Sequence, residues 1–354
     1  MAYLVLSNGI TFEGTRIGAH IDRIGELVFT TGMEGYLETL TDPSYYGQIV
    51  TQTFPMIGNY GVIEEDFEGE STLFGYIVRE LCDTPSNFRC AYPLNDYLVA
   101  HGIPGLCGVD TREIVRITRE EGVMNAMICD EVPDNLDTIR SYRVENAVAS
   151  VSGHSSCYWP AAGQERCRVA LIDYGAKHNI IRSLQTRGCS VTEWPASSTA
   201  EEILSSGPDG IMLSNGPGDP KENTFCIEQL KKIIGIKPVF GICLGHQLAA
   251  LALGGDTVKL KYGHRGGNQP VRDLAAGRTY ITSQNHGYAV VADSLKTIGH
   301  ETFRNANDGS CEGMEYPEKN CFTVQFHPEA ASGPRDTAVL FDRFVQKMEE
   351  MKHA

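Results

Sequence analysis

The stretch Val239-Phe-Gly-Ile-Cys243-Leu-Gly-His-Gln247 decides how the rest of the chain is read. Val239 to Ile242 is a short apolar run of the buried-strand type. Leu244, Leu248 and Leu251 follow it at helical spacing. Between the two lies a G-x-C-x-G turn made of Gly241, Cys243 and Gly245. A strand that turns sharply into a helix lifts the central side chain out of the fold, and flanking glycines remove the Cβ atoms that would collide. A thiol placed there sits at a helix N-terminus, which favours thiolate and offers backbone N–H groups to a developing oxyanion. Taken alone, the segment also reads as a buried structural cysteine in an α/β turn, because cysteine is among the most buried residue types.

Outward from this turn, strands and helices alternate from Arg168 onward, the rhythm of a parallel sheet. Val169–Ile172 reads as a strand and Lys177–Leu184 as a helix with Ile180, Ile181 and Leu184 on one face. Ser190–Thr192 is a short strand, and Thr199 is placed to cap the next helix through Glu202. The strand Gly210–Leu213 leads into the loop Ser214-Asn-Gly-Pro-Gly-Asp-Pro220. Loops at the C-terminal ends of such strands are where open α/β sheets bind ligands. Gly216 and Gly218 let backbone N–H groups approach a ligand there; the loop also reads as a plain Gly/Pro turn. After Gly255 short strands are expected at Thr257–Lys261, Thr279–Thr282 and Cys321–Phe326. The last of these delivers His327-Pro328-Glu329 at its end. A histidine there can act as general base for a cysteine, with a carboxylate fixing its tautomer. The chain has ten histidines, so spacing alone does not pair His327 with Cys243. Asp336–Met348 has the pattern of an amphipathic closing helix.

The first half reads differently. Tyr3–Leu6 ends at Asn8-Gly9, a hairpin signal, and Glu26–Thr30, Gln48–Thr53 and Phe74–Val78 are further strands. Thr41-Asp-Pro-Ser44 is a turn. Tyr97–His101 reads as helical, and Asp110 or Thr111 can cap the helix that carries Ile114, Val115 and Ile117. No catalytic constellation stands out before residue 150, and this half reads as a scaffold or docking domain. Periodicity weakens between Asp130 and Gly163, which places a linker near 150–166. The expected domains are 1–150, a β-rich α/β unit, and 166–354, a mostly parallel sheet flanked by helices.

With 354 residues, a net charge of -15 and 21% charged residues, the chain has the profile of a soluble acidic protein with two cores. The acidity argues against binding nucleic acid or an anionic membrane. No apolar run is long enough for a membrane span, and the N-terminus has no basic, apolar leader pattern. The 11 cysteines contain no C-x-x-C pair, and the odd count speaks against a full disulfide framework. A cytoplasmic location without a zinc or other metal site is therefore expected. Neither a P-loop nor a G-x-G-x-x-G fingerprint occurs.

Four segments taken together resemble the triad, or class I, glutamine amidotransferases: Phe240–Gln247, Leu213–Pro220, Ser283-Gln-Asn-His-Gly287 and Gln325-Phe-His-Pro-Glu329. Within that class, Phe29–Tyr36, Leu40–Tyr45, Gln48–Thr51 and Gly108-Val-Asp-Thr-Arg112 resemble the small subunits of carbamoyl-phosphate synthases. The resemblance implies that Cys243 is the nucleophile, His327 the general base and acid, and Glu329 the residue that orients His327. It implies that Leu244 and the Gly216–Gly218 loop hold the oxyanion. Ser44, Gln247, Asn285, Gly287 and Tyr288 stand where the family contacts L-glutamine, Ser44 from the other domain, which places the substrate near the domain interface. Arg265 and Gln269 stand where the family often has His, and Tyr288 where it often has Phe. The implied activity is hydrolysis of L-glutamine, with ammonia passed to a separate large subunit. That partner uses ATP, with its Mg, and bicarbonate to make carbamoyl phosphate; the small subunit itself needs no cofactor. Other readings are an amidotransferase serving a different synthetase, a stand-alone cysteine hydrolase, and a non-enzymatic interaction subunit.

Overall fold

A computed structural model describes residues 1–353, and the chain divides into two compact units, Met1–Glu145 and Asn146–Ala354. The first unit holds β1 (Ala2–Leu6), β2 (Thr11–Gly18), β3 (Arg23–Thr30), β4 (Gln48–Gln52), β5 (Met56–Ile57), β6 (Gly75–Ile77), β7 (Glu80–Leu81), β8 (Pro104–Cys107) and β9 (Met124–Cys129). Seven of these close into a barrel in the order β1-β2-β8-β6-β4-β3-β9, which leaves no open edge in that sheet. The Asn8-Gly9 signal is the β1–β2 hairpin. The Asn8 side chain accepts from Ile10 N, and Gly9 takes φ 94°, a region L-residues avoid. Leu4, Leu6, Leu27, Ile49, Ile77, Leu106 and Ile128 fill one core, joined by Ile114 and Ile117 from the helix Thr111–Glu121. Asp110 rather than Thr111 caps that helix, accepting from Glu113 N.

The second unit is built on one ten-stranded sheet. Its strands are β10 (Cys157–Trp159), β11 (Cys167–Asp173), β12 (Cys189–Pro195), β13 (Gly210–Leu213), β14 (Val239–Ile242), β15 (Thr257–Asp273), β16 (Thr279–Val290), β17 (His300–Asn305), β18 (Cys311–Tyr316) and β19 (Cys321–Val324). The order is β10-β12-β11-β13-β14-β19-β18-β16-β15-β17. The five strands from β12 to β19 run parallel, and the rest add on antiparallel. The parallel strands are apolar on both faces because both are covered. Ala170, Ile172, Ile211, Leu213 and Val239 face the helices Ala200–Ser205, Thr224–Ile233 and Leu244–Ala252. Val169, Leu171, Met212, Phe240 and Ile242 face His178–Gln185 and the closing helix Val339–His353. Thr199 and Glu202 form the capping box read from the sequence.

Two expectations change. The stretch 150–166, read as a linker, contains β10, which pairs with β12 at the edge of the second sheet. Tyr158 and Trp159 give it strand propensity that its polar flanks conceal. Two of the short strands expected after Gly255, Thr257–Lys261 and Thr279–Thr282, are instead parts of the long hairpin β15–β16, 17 and 12 residues in length, while the third is the short strand β19. Its register shifts between Lys259 and His264 and again between Gly266 and Gln269, bulges that break the alternation a sequence reading relies on. Gly263 and Gly266 within it take φ 70° and 123°.

Phe341 is fully buried in the closing helix and meets the Phe240 ring edge-on, with centroids 5.5 Å apart. Phe341→Ala is expected to lower stability by about 3–5 kcal/mol, read as a loss of unfolding free energy in urea.

Candidate active site

β14 lies at the centre of the sheet, between β13 and β19, and ends at Cys243. Cys243 takes φ 53°, ψ -103°, a conformation an L-residue adopts only when its surroundings impose it. The two flanking glycines explain how. A Cβ on Gly245 would stand 2.5 Å from the Leu213 carbonyl oxygen, and one on Gly241 would stand 3.0 Å from Gly245 itself. The helix Leu244–Ala252 can therefore start against the strand ends, held by Gly245 N–H to Ser214 O at 3.0 Å. Cys243 N–H donates to Val324 O at 2.9 Å, tying the turn to β19. Leu244 is the first helical residue, so its N–H has no intrahelical acceptor.

β19 runs beside β14 and delivers His327 three residues past its last paired residue. His327 and Glu329 are 1% and 2% exposed. His327 Nδ1 lies 2.6 Å from Glu329 Oε1 and 3.3 Å from Lys177 Nζ, and Lys177 Nζ lies 3.7 Å from the same carboxylate oxygen. An ammonium can only donate, and the carboxylate is the nearer neighbour, so Nδ1 carries the proton and gives it to Glu329. Burial raises the Glu329 carboxyl, but His327 and then Lys177 outweigh it and hold the group below the ordinary carboxylate range. It therefore stays an anion. His327 Nε2 is left as a buried lone pair with no protein partner among the described residues. That nitrogen is free to take a proton from a thiol.

The strand β16 bridges the two. Cys243 Sγ–H donates to Asn285 O at 3.6 Å, and His327 N–H donates to Ser283 O at 2.9 Å. Cys243 and His327 thus both lean on Ser283–Asn285. Gln247 Nε2 donates to Tyr288 O at 3.0 Å and Gln325 Oε1 at 2.9 Å, clamping the helix to β16 and to the His327 strand end. Its amide nitrogen is spent on the protein, which leaves the amide oxygen for a ligand. The Gly216 loop closes the other side. A Cβ at Gly216 would stand 2.2 Å from Tyr174 O and 2.8 Å from Leu244 Cδ2, so only glycine fits between them. Gly218, at φ 87°, continues the turn.

These contacts link Cys243, Leu244, Gly216, Gln247, Asn285, Tyr288, His327 and Glu329; Gly287 lies between Asn285 and Tyr288 on β16, and Gly218 follows Gly216 in its loop. Ser44 belongs to the first unit. It follows Asp42, whose side chain accepts from Ser44 N at 2.9 Å, and is 8% exposed. The sequence reading missed Lys177 and its supports. Asn215 Oδ1 accepts from Lys177 N, and Asp173 Oδ1 accepts from Gly175 and Ala176 N–H. Asn179 donates to Glu329 O. The one available signal was Lys177 at the start of a helix that follows a strand's C-terminal end.

On the same helix as Gln247, His246 is fully buried, with Nδ1 2.7 Å from Thr323 Oγ1. Burial pushes its pKa from 6.5 down to about 3. Between these values the unfolded chain binds a proton that the folded one refuses. The stabilising contribution is thus complete above 6.5 and is lost as pH falls toward about 3. In His246→Asn, the fall of unfolding free energy with acid should be shallower by up to about 1.4 kcal/mol per pH unit in this window, measured by urea titration at a series of pH values.

Comparison with known proteins agrees with this geometry. Residues 170–347 match the family model described as glutamine amidotransferase class-I, and residues 4–128 match that of the carbamoyl-phosphate synthase small chain, CPSase domain. Over 99% of its length the chain is 50% identical to a carbamoyl phosphate synthase small chain of Bacillus cereus, covering 96% of that protein. It is 48% identical to one of Clostridium perfringens, over 98% of this chain and 99% of that one. Two family models that between them take in both units, and relatives matched almost end to end, lead to one assignment: the chain belongs to the carbamoyl-phosphate synthase small-chain family and carries its class-I glutamine amidotransferase domain in the second unit.

Proposed function

We propose that this chain hydrolyses L-glutamine to glutamate and ammonia through a γ-glutamyl thioester on Cys243. The ammonia then passes to a large subunit that uses ATP, with Mg, and bicarbonate to make carbamoyl phosphate. The observation that carries this reading is the buried His327–Glu329 pair, whose unpartnered Nε2 belongs to the strand end directly beside the Cys243 elbow. The Cys243 thiol gives its proton to His327 Nε2, and the thiolate attacks the side-chain amide carbon. The Leu244 N–H and the Gly216–Gly218 loop face the developing oxyanion, a contribution often worth about 3–4 kcal/mol for a donor of this kind. His327 then protonates the departing nitrogen and ammonia leaves. Water, deprotonated by the same imidazole, cleaves the thioester. Glu329 keeps the imidazole in the tautomer this needs and balances the imidazolium. Lys177 keeps Glu329 ionised. Asn285, Gly287, Tyr288 and the Gln247 amide oxygen are the proposed glutamine contacts.

The half-reaction uses only side-chain and backbone groups of this chain, so no cofactor is assigned to it. Among the described residues no helix is long and apolar enough to cross a membrane. A cytoplasmic heterodimer supplying carbamoyl phosphate for arginine or pyrimidine synthesis is the setting that fits. Neutral ammonia is quickly protonated in neutral water, so a sheltered route between the subunits follows from the chemistry.

The test is the complex reconstituted with its large subunit and assayed with two nitrogen sources. Cys243→Ala should abolish carbamoyl phosphate formation from glutamine and leave formation from added ammonia near normal. Loss of both activities in a correctly assembled complex would overturn the division of labour. Glu329→Gln should cost about 10–100-fold less than Cys243→Ala, because an orienting group is only partly needed. Steady-state glutaminase assays of the two variants side by side give that ratio.

A further inference from the structure

A second polar cluster lies behind Asn285 and takes no part in the chemistry above. It joins three strands: His264 from β15, His286 from β16 and Glu312 from β18, with side chains 9%, 1% and 0% exposed. His264 Nδ1 and His286 Nε2 face each other at 3.2 Å. Glu312 Oε1 lies 3.4 Å from the first and 3.9 Å from the second. The far side of each ring fixes what these nitrogens carry. His286 Nδ1 lies 2.8 Å from Tyr288 O, and a carbonyl can only accept, so Nδ1 holds the proton and Nε2 a lone pair. His264 Nε2 lies 2.9 Å from Asp308 Oδ2 and donates to it, so in the neutral ring Nδ1 is the lone pair. Gln284 Oε1, another acceptor, is 3.2 Å from His286 Nε2, and the Gln284 amide nitrogen donates to Thr282. A donor at the cluster is Asn305 Nδ2. It is 3.0 Å from Glu312 Oε1 and 3.4 Å from His264 Nδ1. Glu312 Oε2 is buried without a hydrogen-bond partner.

With His264 neutral, electron pairs from two imidazoles, a carboxylate and an amide oxygen converge on one buried point, where a positive charge relieves their repulsion. Their spacing suits a metal. Donors bound tetrahedrally at roughly 2.0–2.1 Å stand about 3.3–3.4 Å apart, and the three donor separations here are 3.2, 3.4 and 3.9 Å. Two neutral nitrogens and one carboxylate oxygen form a donor set that zinc-type divalent ions prefer over Mg or Ca. The outer contacts also fit. A metal-bound imidazole characteristically donates its other N–H to a carbonyl or carboxylate, as both rings do here.

We propose that His264, His286 and Glu312 form a structural site for a zinc-type divalent cation, with Gln284 Oε1 within reach as a fourth donor. The ion pins β15, β16 and β18 together directly behind Ser283–Tyr288. It thereby fixes the strand whose Asn285 carbonyl receives the Cys243 thiol, without touching the reacting atoms.

The experiment uses the full-length chain, freed of any affinity tag and stripped with a chelator. Titration with Co(II) alone should give visible ligand-field absorption that saturates at one equivalent. Zinc-edge X-ray absorption of the Zn(II) form should show nitrogen and oxygen at about 2.0–2.1 Å and no sulfur at about 2.3 Å. Glu312→Gln, which keeps shape and burial, should weaken binding by more than about 100-fold. Asp308→Asn, an outer partner, should weaken it by about 10–100-fold. A sulfur shell, absence of the cobalt band in the wild-type chain, or unchanged affinity in folded Glu312→Gln would overturn the proposal. In that case a proton on His264 supplies the charge. The wild-type spectra decide the matter even if a variant misfolds.

Discussion

The site depends on one close approach. Gly245 lies against the Leu213 carbonyl, and that contact brings a helix onto the end of a parallel strand with no room for a side chain. Cys243 must then make the turn in a single residue, and its backbone takes φ 53°, where a Cβ is normally unwelcome. The strain is local and is held by bonds on both sides: Gly245 to Ser214 on β13's end, and Cys243 to Val324 on β19's end. Since β13, β14 and β19 are neighbours in the sheet's centre, the cores on both faces help to hold the cysteine in position.

Electrostatics then follow from dryness. A carboxylate as buried as Glu329 is ordinarily expensive to ionise. It stays charged because an imidazole N–H and an ammonium share its oxygen. The arrangement leaves one nitrogen of His327 exposed to chemistry and commits the other to structure. Asn215 and Asp173 shape the backbone around Lys177, so the charge balance extends across the ends of three parallel strands.

What could be read in the sequence was whatever carries a period or a local signature. The elbow was legible because a four-residue apolar run, two glycines and a helical leucine pattern fall together around Cys243. The Asn8-Gly9 hairpin and the Thr199 capping box were legible because caps and turns are decided by nearby residues. The length of β15–β16 was not, since its bulges at Gly263 and Gly266 reset the alternation from which a strand is recognised. Nor was Lys177, because a lysine at a helix start has many ordinary reasons to be there, and only the fold brings it to Glu329, far along the chain. The His264, His286 and Glu312 cluster escaped for the same reason: its members come from three strands and share no spacing motif.

The sheet order also says something about synthesis. β14 bonds to β13 on one side and to β19 on the other, yet β15 to β18 all leave the ribosome between them. Until Cys321–Val324 is made, the strand that leads to Cys243 has an open hydrogen-bonding edge, and Cys243 lacks the Val324 carbonyl that anchors its turn. A nascent chain in that interval presents an apolar edge of the kind other chains pair with. His327 is also still to come, because it follows the strand that closes the gap. Assembly order thus couples the closing of that edge to the first moment at which Cys243 and His327 can meet.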